Sequence, residues 1–259
     1  MNQEPSIEAL FNLVSTLRGE NGCPWDRKQT VHTLSIYLIE EVFELVEALS
    51  GEQTDAILEE LGDVLFQVVF IVRLFEELRQ FSFQDVLSRN IEKMVRRHPH
   101  VFGTDKVETA GEVKKRWREI KQLEKGGADS LMDSVPAGMP ALMRAFRISE
   151  RAASAGFDWD SLEGVMAQAE SELDEFKEEI AKDPTGRSAD MEFGDILFTL
   201  VNVGRLAKIH PETALADSTR KFIMRFKNME ATAAQQNRRL DQLPRDEMER
   251  LWQAAKRSV

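Results

Sequence analysis

An acidic pattern written twice constrains this chain more than any other feature. The first copy reads Glu40-Glu41-x-x-Glu44 and then Glu60-x-x-Asp63; the second reads Ser171-Glu172-x-x-Glu175 and then Glu192-x-x-Asp195. The offsets between matching positions are 131, 131, 132 and 132 residues, so one structural unit has been repeated. Acids at i and i+3 share a helix face. Two such helices packed together converge four carboxylates on one point, where they repel unless a cation lies between them. Hard oxygen ligands in that number suit Mg²⁺, with Mn²⁺ as a substitute. An isolated i,i+3 acid pair is more often a solvated surface. Four pairs in two matching registers favour the metal reading, with Glu41, Glu44, Glu60 and Asp63 as ligands in one copy and Glu172, Glu175, Glu192 and Asp195 in the other.

The repeat extends beyond the acids. Gly22-Cys23-Pro24-Trp25-Asp26 answers Gly156-Phe157-Asp158-Trp159-Asp160, and Leu61-Gly62-Asp63 answers Phe193-Gly194-Asp195. Lys93-x-x-x-Arg97 answers Lys221-x-x-x-Arg225, and Trp117-x-x-x-Lys121 answers Trp252-x-x-x-Lys256. Each copy therefore orders a Gly/Trp/Asp loop, two acidic helices, a basic helix and a Trp-bearing helix. The breaker-rich stretch from Gly126-Gly127 to Pro140 separates the copies. The expected domains are 1–126 and 141–259, with 127–140 as linker.

Long stretches carry the helical period and none carries sustained strand alternation, so the fold class is all-α. Leu61 to Leu78 reads as a buried helix, and His98-Pro99-His100 as a loop. Leu65, Val68, Val69 and Val72 point around much of their helix, which therefore needs cover on most faces. That predicts an obligate homodimer. Gly62 and Gly194 weaken their helices, which implies close approach of a neighbouring helix or a ligand.

The net charge of −11 argues against general nucleic-acid binding. No stretch is apolar enough to span a membrane. A single cysteine, Cys23, leaves no intrachain disulfide; with no export signal in Met1 to Ser6, the expected location is the cytoplasm. The paired cations Lys93/Arg97 and Lys221/Arg225 suit a polyphosphate chain, although such pairs are also common on solvated faces. Trp117 and Trp252 read either as base-stacking platforms or as packing groups. Trp25 and Trp159 read as closing the end of a bundle. Neither a P-loop nor a dinucleotide fingerprint is present.

Taken together, these acidic patterns, the Gly-Cys-Pro-Trp-Asp loop, the Arg-Arg-His-Pro-His-Val-Phe run and the Gly-Phe-Asp-Trp loop resemble the MazG family of nucleoside triphosphate pyrophosphohydrolases. The resemblance implies two tandem all-α domains related to dimeric dUTPases, with four-helix-bundle cores completed by dimerisation with a second subunit. It also implies Mg²⁺-dependent cleavage of NTPs and dNTPs to monophosphate and pyrophosphate, in nucleotide-pool housekeeping. By the same resemblance Glu172, Glu175, Glu192 and Asp195 are metal ligands, and Lys221, Arg225 and Trp252 contact nucleotide. Glu41, Glu44, Glu60 and Asp63 with Lys93 and Arg97 are their counterparts, and the C-terminal copy is the main catalytic one. That copy departs from the family pattern at Ser171, which replaces a Glu, and at Gln168, a nucleotide-binding position where a Lys is often found. Two other functions fit parts of the pattern: a phosphoribosyl-nucleotide pyrophosphohydrolase, and a non-catalytic acidic helical scaffold.

Overall fold

The computed structural model describes residues 4–51, 53–124 and 130–258. Among them every regular element is helical. The chain divides into two compact units, Met1–Gly127 and Ala128–Val259. Part of the breaker-rich stretch, residues 126–129, lies outside the described residues. Just beyond it, Ser130 and Asp133 form a capping box over the 3₁₀ turn Leu131–Ser134, and Val135 is buried.

The first unit contains α1 (Ile7–Arg18), α2 (Val31–Gly51), α3 (Thr54–Glu77), α4 (Phe83–Arg97), α5 (Pro99–Phe102) and α6 (Ala110–Glu124). Local chemistry sets the boundaries. The Ser6 hydroxyl accepts from the Ala9 amide at the start of α1, and Ser82 and Asp85 form a capping box on α4. α2 packs chiefly against α3, and α1 lies on α3. Val14, Leu34, Val69, Phe70 and Leu74 form the core, with Leu10, Phe11, Tyr37 and Phe66 around it. Each fully buried side chain of this kind contributes about 1.5–3 kcal/mol. α1 is an element that the acidic and basic motifs do not announce.

Arg18, at the end of α1, fixes the loop that follows. Its guanidinium pairs with Glu77 at 2.6 Å and donates to the Asp26 carbonyl at 2.7 Å. Gly22 is required in this loop, because a Cβ there would meet the Leu17 carbonyl oxygen at 2.1 Å. The loop carrying Trp25 and Gln29 is thereby held at the end of α3.

The second unit contains α7 (Ala141–Ser154), α8 (Leu162–Lys182), α9 (Arg187–Leu206), α10 (Pro211–Gln235) and α11 (Arg245–Ser258). α8 pairs with α9, α7 packs on α9 and α10, and α11 packs on α10. The loop after α7 turns at Gly156, whose φ of 91° is costly for any residue with a Cβ. A polar network pins that loop to α9. Arg205 donates to Asp158 and, at 2.6 Å, to Ser149; Ser149 in turn donates to Asn202.

Three expectations need amendment. His98-Pro99-His100 is not a plain loop: His98 ends α4, and Pro99 takes the first position of the short helix α5, where its missing N–H does no harm. The helix spanning Leu61 to Leu78 is buried on one side only: Val69 and Val72 are inside, whereas Leu65 and Val68 are 40% and 41% exposed. Gly62 and Gly194 approach nothing within their own unit, since a Cβ at either would find no atom within 4 Å.

Candidate metal centre and its flanking cations

Both units build the same acidic site from a helix pair. In the first, Glu41 on α2 meets Glu60 and Asp63 on α3, with one carboxylate oxygen of each within 4.8 Å of the others. In the second, Glu172 on α8 meets Glu192 and Asp195 on α9 within the same limit. Glu44 and Glu175 stand one turn further along and fall outside this tight group. They remain close enough for their charges to act on Glu60 and Glu192 respectively. The sequence thus places four acids per site, and the fold draws three of them tight.

The electrostatics of each cluster favour a cation. Burial pushes the Glu60 carboxyl above the ordinary value, and the charges of Glu44, Asp63 and Glu41 push it further. Glu192 is raised in the same way by burial and then by Glu175, Asp195 and Glu172. Burial and Asp63 raise Glu41, against a hydrogen bond from Gln67. Moreover, Oε2 of Glu60 is inaccessible to solvent and has no hydrogen-bond partner among the described residues. A buried carboxylate oxygen without a donor, in a repelling cluster, is the environment a hard divalent cation satisfies.

Neighbouring side chains hold these acids in place. Gln168 donates to Glu172 at 2.7 Å, and the Ser171 hydroxyl donates to Glu175 at 3.2 Å. The two positions where the second copy departs from the family pattern therefore both bond to candidate ligands.

The basic and aromatic residues meet on the other helices. Arg225 on α10 lies 6.0 Å from the centre of the Trp252 ring, and Lys256 lies 5.7 Å from it. Phe222 packs against the same indole at 5.2 Å. In the first unit Arg97 lies 5.7 Å from the Trp117 ring centre. The Arg–Trp pairing is thus repeated along with the acids. Lys221 is exposed and Lys93 half-buried, each one turn before its arginine. The side chain of Lys121 lies outside the described residues. Glu124 binds both Arg96 and Arg97, and their hydrogen bonds hold its carboxyl down at about 2.

Sequence reasoning missed Gln29 and Gln67. Gln29 is 8% exposed, and its Oε1, like that of Gln67, has no partner among the described residues. No motif marks either position. Only the folding of the Trp25 loop onto α2 and α3 encloses them.

Fold and site together define an all-α protein that repeats, in each of two units, an acidic cluster able to hold a metal ion and an arginine–indole pair. Comparison with known proteins specifies the class further. Residues 29–102 match the MazG nucleotide pyrophosphohydrolase domain. The chain is 44% identical over 251 residues to the nucleoside triphosphate pyrophosphohydrolase/pyrophosphatase MazG of Thermotoga maritima, covering 96% of this chain and 95% of that one. It is 38% identical over 261 residues to the nucleoside triphosphate pyrophosphohydrolase of Escherichia coli K12, covering 99% and 98%. It also matches the uncharacterized protein YabN of Bacillus subtilis at 44% identity, over 95% of this chain and 50% of that one. The chain belongs to the MazG family of nucleotide pyrophosphohydrolases.

Proposed function

We propose that the chain hydrolyses nucleoside and deoxynucleoside triphosphates to the monophosphate and pyrophosphate, using Mg²⁺, with Mn²⁺ able to replace it. The convergence of three carboxylates within 4.8 Å in each unit carries this reading, and the relatives' shared activity supports it. Water adds across the anhydride between the first and second phosphates: one P–O bond forms, one breaks, and pyrophosphate leaves. When bound, the cation supplies neutralisation of phosphate charge and acidification of a water. Glu172, Glu192 and Asp195 hold it, with Glu175 within reach, and Glu41, Glu60, Asp63 and Glu44 do the same in the first unit. Gln168 keeps Glu172 oriented. Lys221 and Arg225, and Lys93 and Arg97, stabilise the charge on the departing pyrophosphate. Trp252 backs the Arg225 guanidinium and offers a face to the base.

The working form is a cytoplasmic homodimer. Leu58, Leu61, Leu65 and Val68 form an apolar row on α3 that is 71%, 51%, 40% and 41% exposed within one chain. Phe193 and Leu197 continue the pattern on α9. A row of that size beside the acids needs a cover, and a second copy supplies it. Among the described residues no helix is long and apolar enough to cross a membrane.

The test is product analysis with each NTP and dNTP in the presence of Mg²⁺. Pyrophosphate and monophosphate are expected. Single phosphate with diphosphate would overturn the reading, and turnover of only a phosphoribosyl nucleotide would favour that alternative.

A further inference from the structure

The carboxylate of Glu124 is held by two guanidinium groups at once. Its Oε1 accepts from Nε of Arg96 at 2.7 Å and lies 2.6 Å from Nη2 of the same side chain. Its Oε2 accepts from Nε and Nη2 of Arg97 at 3.0 and 2.5 Å. Both arginines thus turn to Glu124 the forked edge that grips a phosphate in two places.

Local stability does not call for an acid here. Glu124 stands in the last described turn of α6, where a negative charge opposes the helix dipole. Arg96 and Arg97 sit in the last turn of α4, where cations are favoured without any partner. The arrangement is also confined to one copy. At the offset that matches Arg97 with Arg225, Arg96 answers Met224. At the offset that matches Trp117 with Trp252, Glu124 answers a valine at position 259. An added cation and an added acid therefore occur together in the first unit.

Charge leaves the contact open to exchange. Two guanidinium groups and one carboxylate leave one positive charge unbalanced, and Lys93, one turn earlier on α4, adds another. A triphosphate matches that excess better than a single carboxylate does. The Arg97 and Glu124 side chains are 16% and 19% exposed, so water competes weakly for them, whereas Arg96 is 56% exposed and open to an incoming anion.

We infer that Glu124 is an autoinhibitory pseudo-ligand of the first unit: it occupies the guanidinium edges that a triphosphate must take, and an anion of higher charge displaces it. The first unit is then closed at low nucleotide concentration and opens as that concentration rises. This inference rests on the nucleotide reading above and adds a regulation confined to one copy.

The test uses the full chain labelled with ¹⁵N-tryptophan, without metal, so that no turnover occurs. The Trp117 indole, whose ring centre lies 5.7 Å from the Arg97 guanidinium, is assigned with Trp117→Phe. Inorganic tripolyphosphate and orthophosphate are then titrated in turn. Tripolyphosphate should shift the Trp117 signal, and orthophosphate should not at the same concentration. Glu124→Gln should lower the tripolyphosphate midpoint about fivefold, because a charged competitor is removed. In the unmutated chain, bound tripolyphosphate should speed amide hydrogen exchange around Glu124, since the end of α6 is released. A contact that merely ties α6 to α4 predicts an unchanged midpoint in Glu124→Gln and unchanged or slower exchange. Either result overturns the inference, the second even if Glu124→Gln failed to fold. So does a Trp117 signal that ignores tripolyphosphate or answers orthophosphate equally. Pyrophosphate release from triphosphates with an unchanged midpoint removes the autoinhibition alone. A lowered midpoint in a chain that releases single phosphate removes the pyrophosphohydrolase reading alone.

Discussion

Arg97 and Glu124 are joined by two hydrogen bonds to one carboxylate oxygen, 2.5 Å from Nη2 and 3.0 Å from Nε. Arg96 binds the other oxygen at 2.6 Å. The arginine proposed to grip phosphates in the first unit is therefore engaged by an anion of the chain itself. With the Glu124 carboxyl held at about 2, no physiological pH releases it. Glu124→Gln should raise the affinity of the first unit for a non-hydrolysable triphosphate by about fivefold or more, since a charged acceptor is removed. Calorimetric titration in an Asp195→Asn background isolates that unit. Unchanged affinity would show that the pair and the nucleotide do not compete.

Gln168 offers a second prediction. Groups that orient a metal ligand typically alter metal affinity by about 10–100-fold when removed. Gln168→Leu should weaken Mn²⁺ binding to the second unit within that range, and Glu172→Gln should weaken it further, both with unchanged helical content. Mn²⁺ paramagnetic resonance on each variant, in an Asp63→Asn background, reads the effect directly.

The pH dependence has two opposing limbs. Glu41, Glu60 and Glu192 have raised values, so the metal-free folded chain binds protons more tightly there than the unfolded chain. Stability should fall as pH climbs from the ordinary 4.5 through their raised values, and then level off. Asp158, held down by Arg205, and Glu124 act in the opposite sense: their contribution is present above the unfolded values and lost as pH falls through the folded ones. Mg²⁺ should abolish the first limb and leave the second. Melting curves across pH, with chelator and with Mg²⁺, check both.

Gly62 and Gly194 separate the single chain from its proposed dimer. Within one chain an added methyl group meets nothing, so Gly194→Ala should strengthen α9 by about 1 kcal/mol. If a partner helix approaches at that point, the same change should shift the assembly toward monomer. Sedimentation is expected to show that shift. A dimer tightened by Gly194→Ala would place the interface elsewhere.

Trp252 packs against Phe222 and beneath Arg225, so its removal should act in two ways. Trp252→Ala should lower the melting temperature by several degrees, about 2–4 °C for each kcal/mol lost in a chain of this size. It should also raise KM for purine and pyrimidine triphosphates alike, because an indole face distinguishes no base. A lower melting temperature with unchanged KM would make Trp252 a packing residue only.

Much of this was legible in the sequence because helices write their contacts locally. Glu41 and Glu44, or Glu60 and Asp63, are neighbours by helical period alone, and duplication showed that the pattern was selected. The first helix of each unit was less visible, since α1 and α7 carry no acid or base motif. The loop-fixing arginines, Arg18 and Arg205, reach their partners across 59 and 47 residues, a separation that no local period encodes. Gln29 and Gln67 were hidden for the same reason. A glutamine in a loop or on a helix reads as solvated until the fold closes around it. Trp25 illustrates the converse: read as a closing residue, it is 64% exposed and forms one wall of a cavity.

The exchange of Phe70 for Asn202 at equivalent places has a consequence for the history of the duplication. Phe70 is 1% exposed in an aromatic core; Asn202 is 7% exposed in a network with Ser149 and Arg205. Neither residue fits the other's surroundings, because an amide among phenyl rings lacks partners and a phenyl ring among polar groups strands theirs. Once that divergence was fixed, the halves ceased to be spare copies of each other. Recombination between them would produce hybrids with mismatched interiors, which shields each copy from being overwritten by its sibling and leaves both free to specialise.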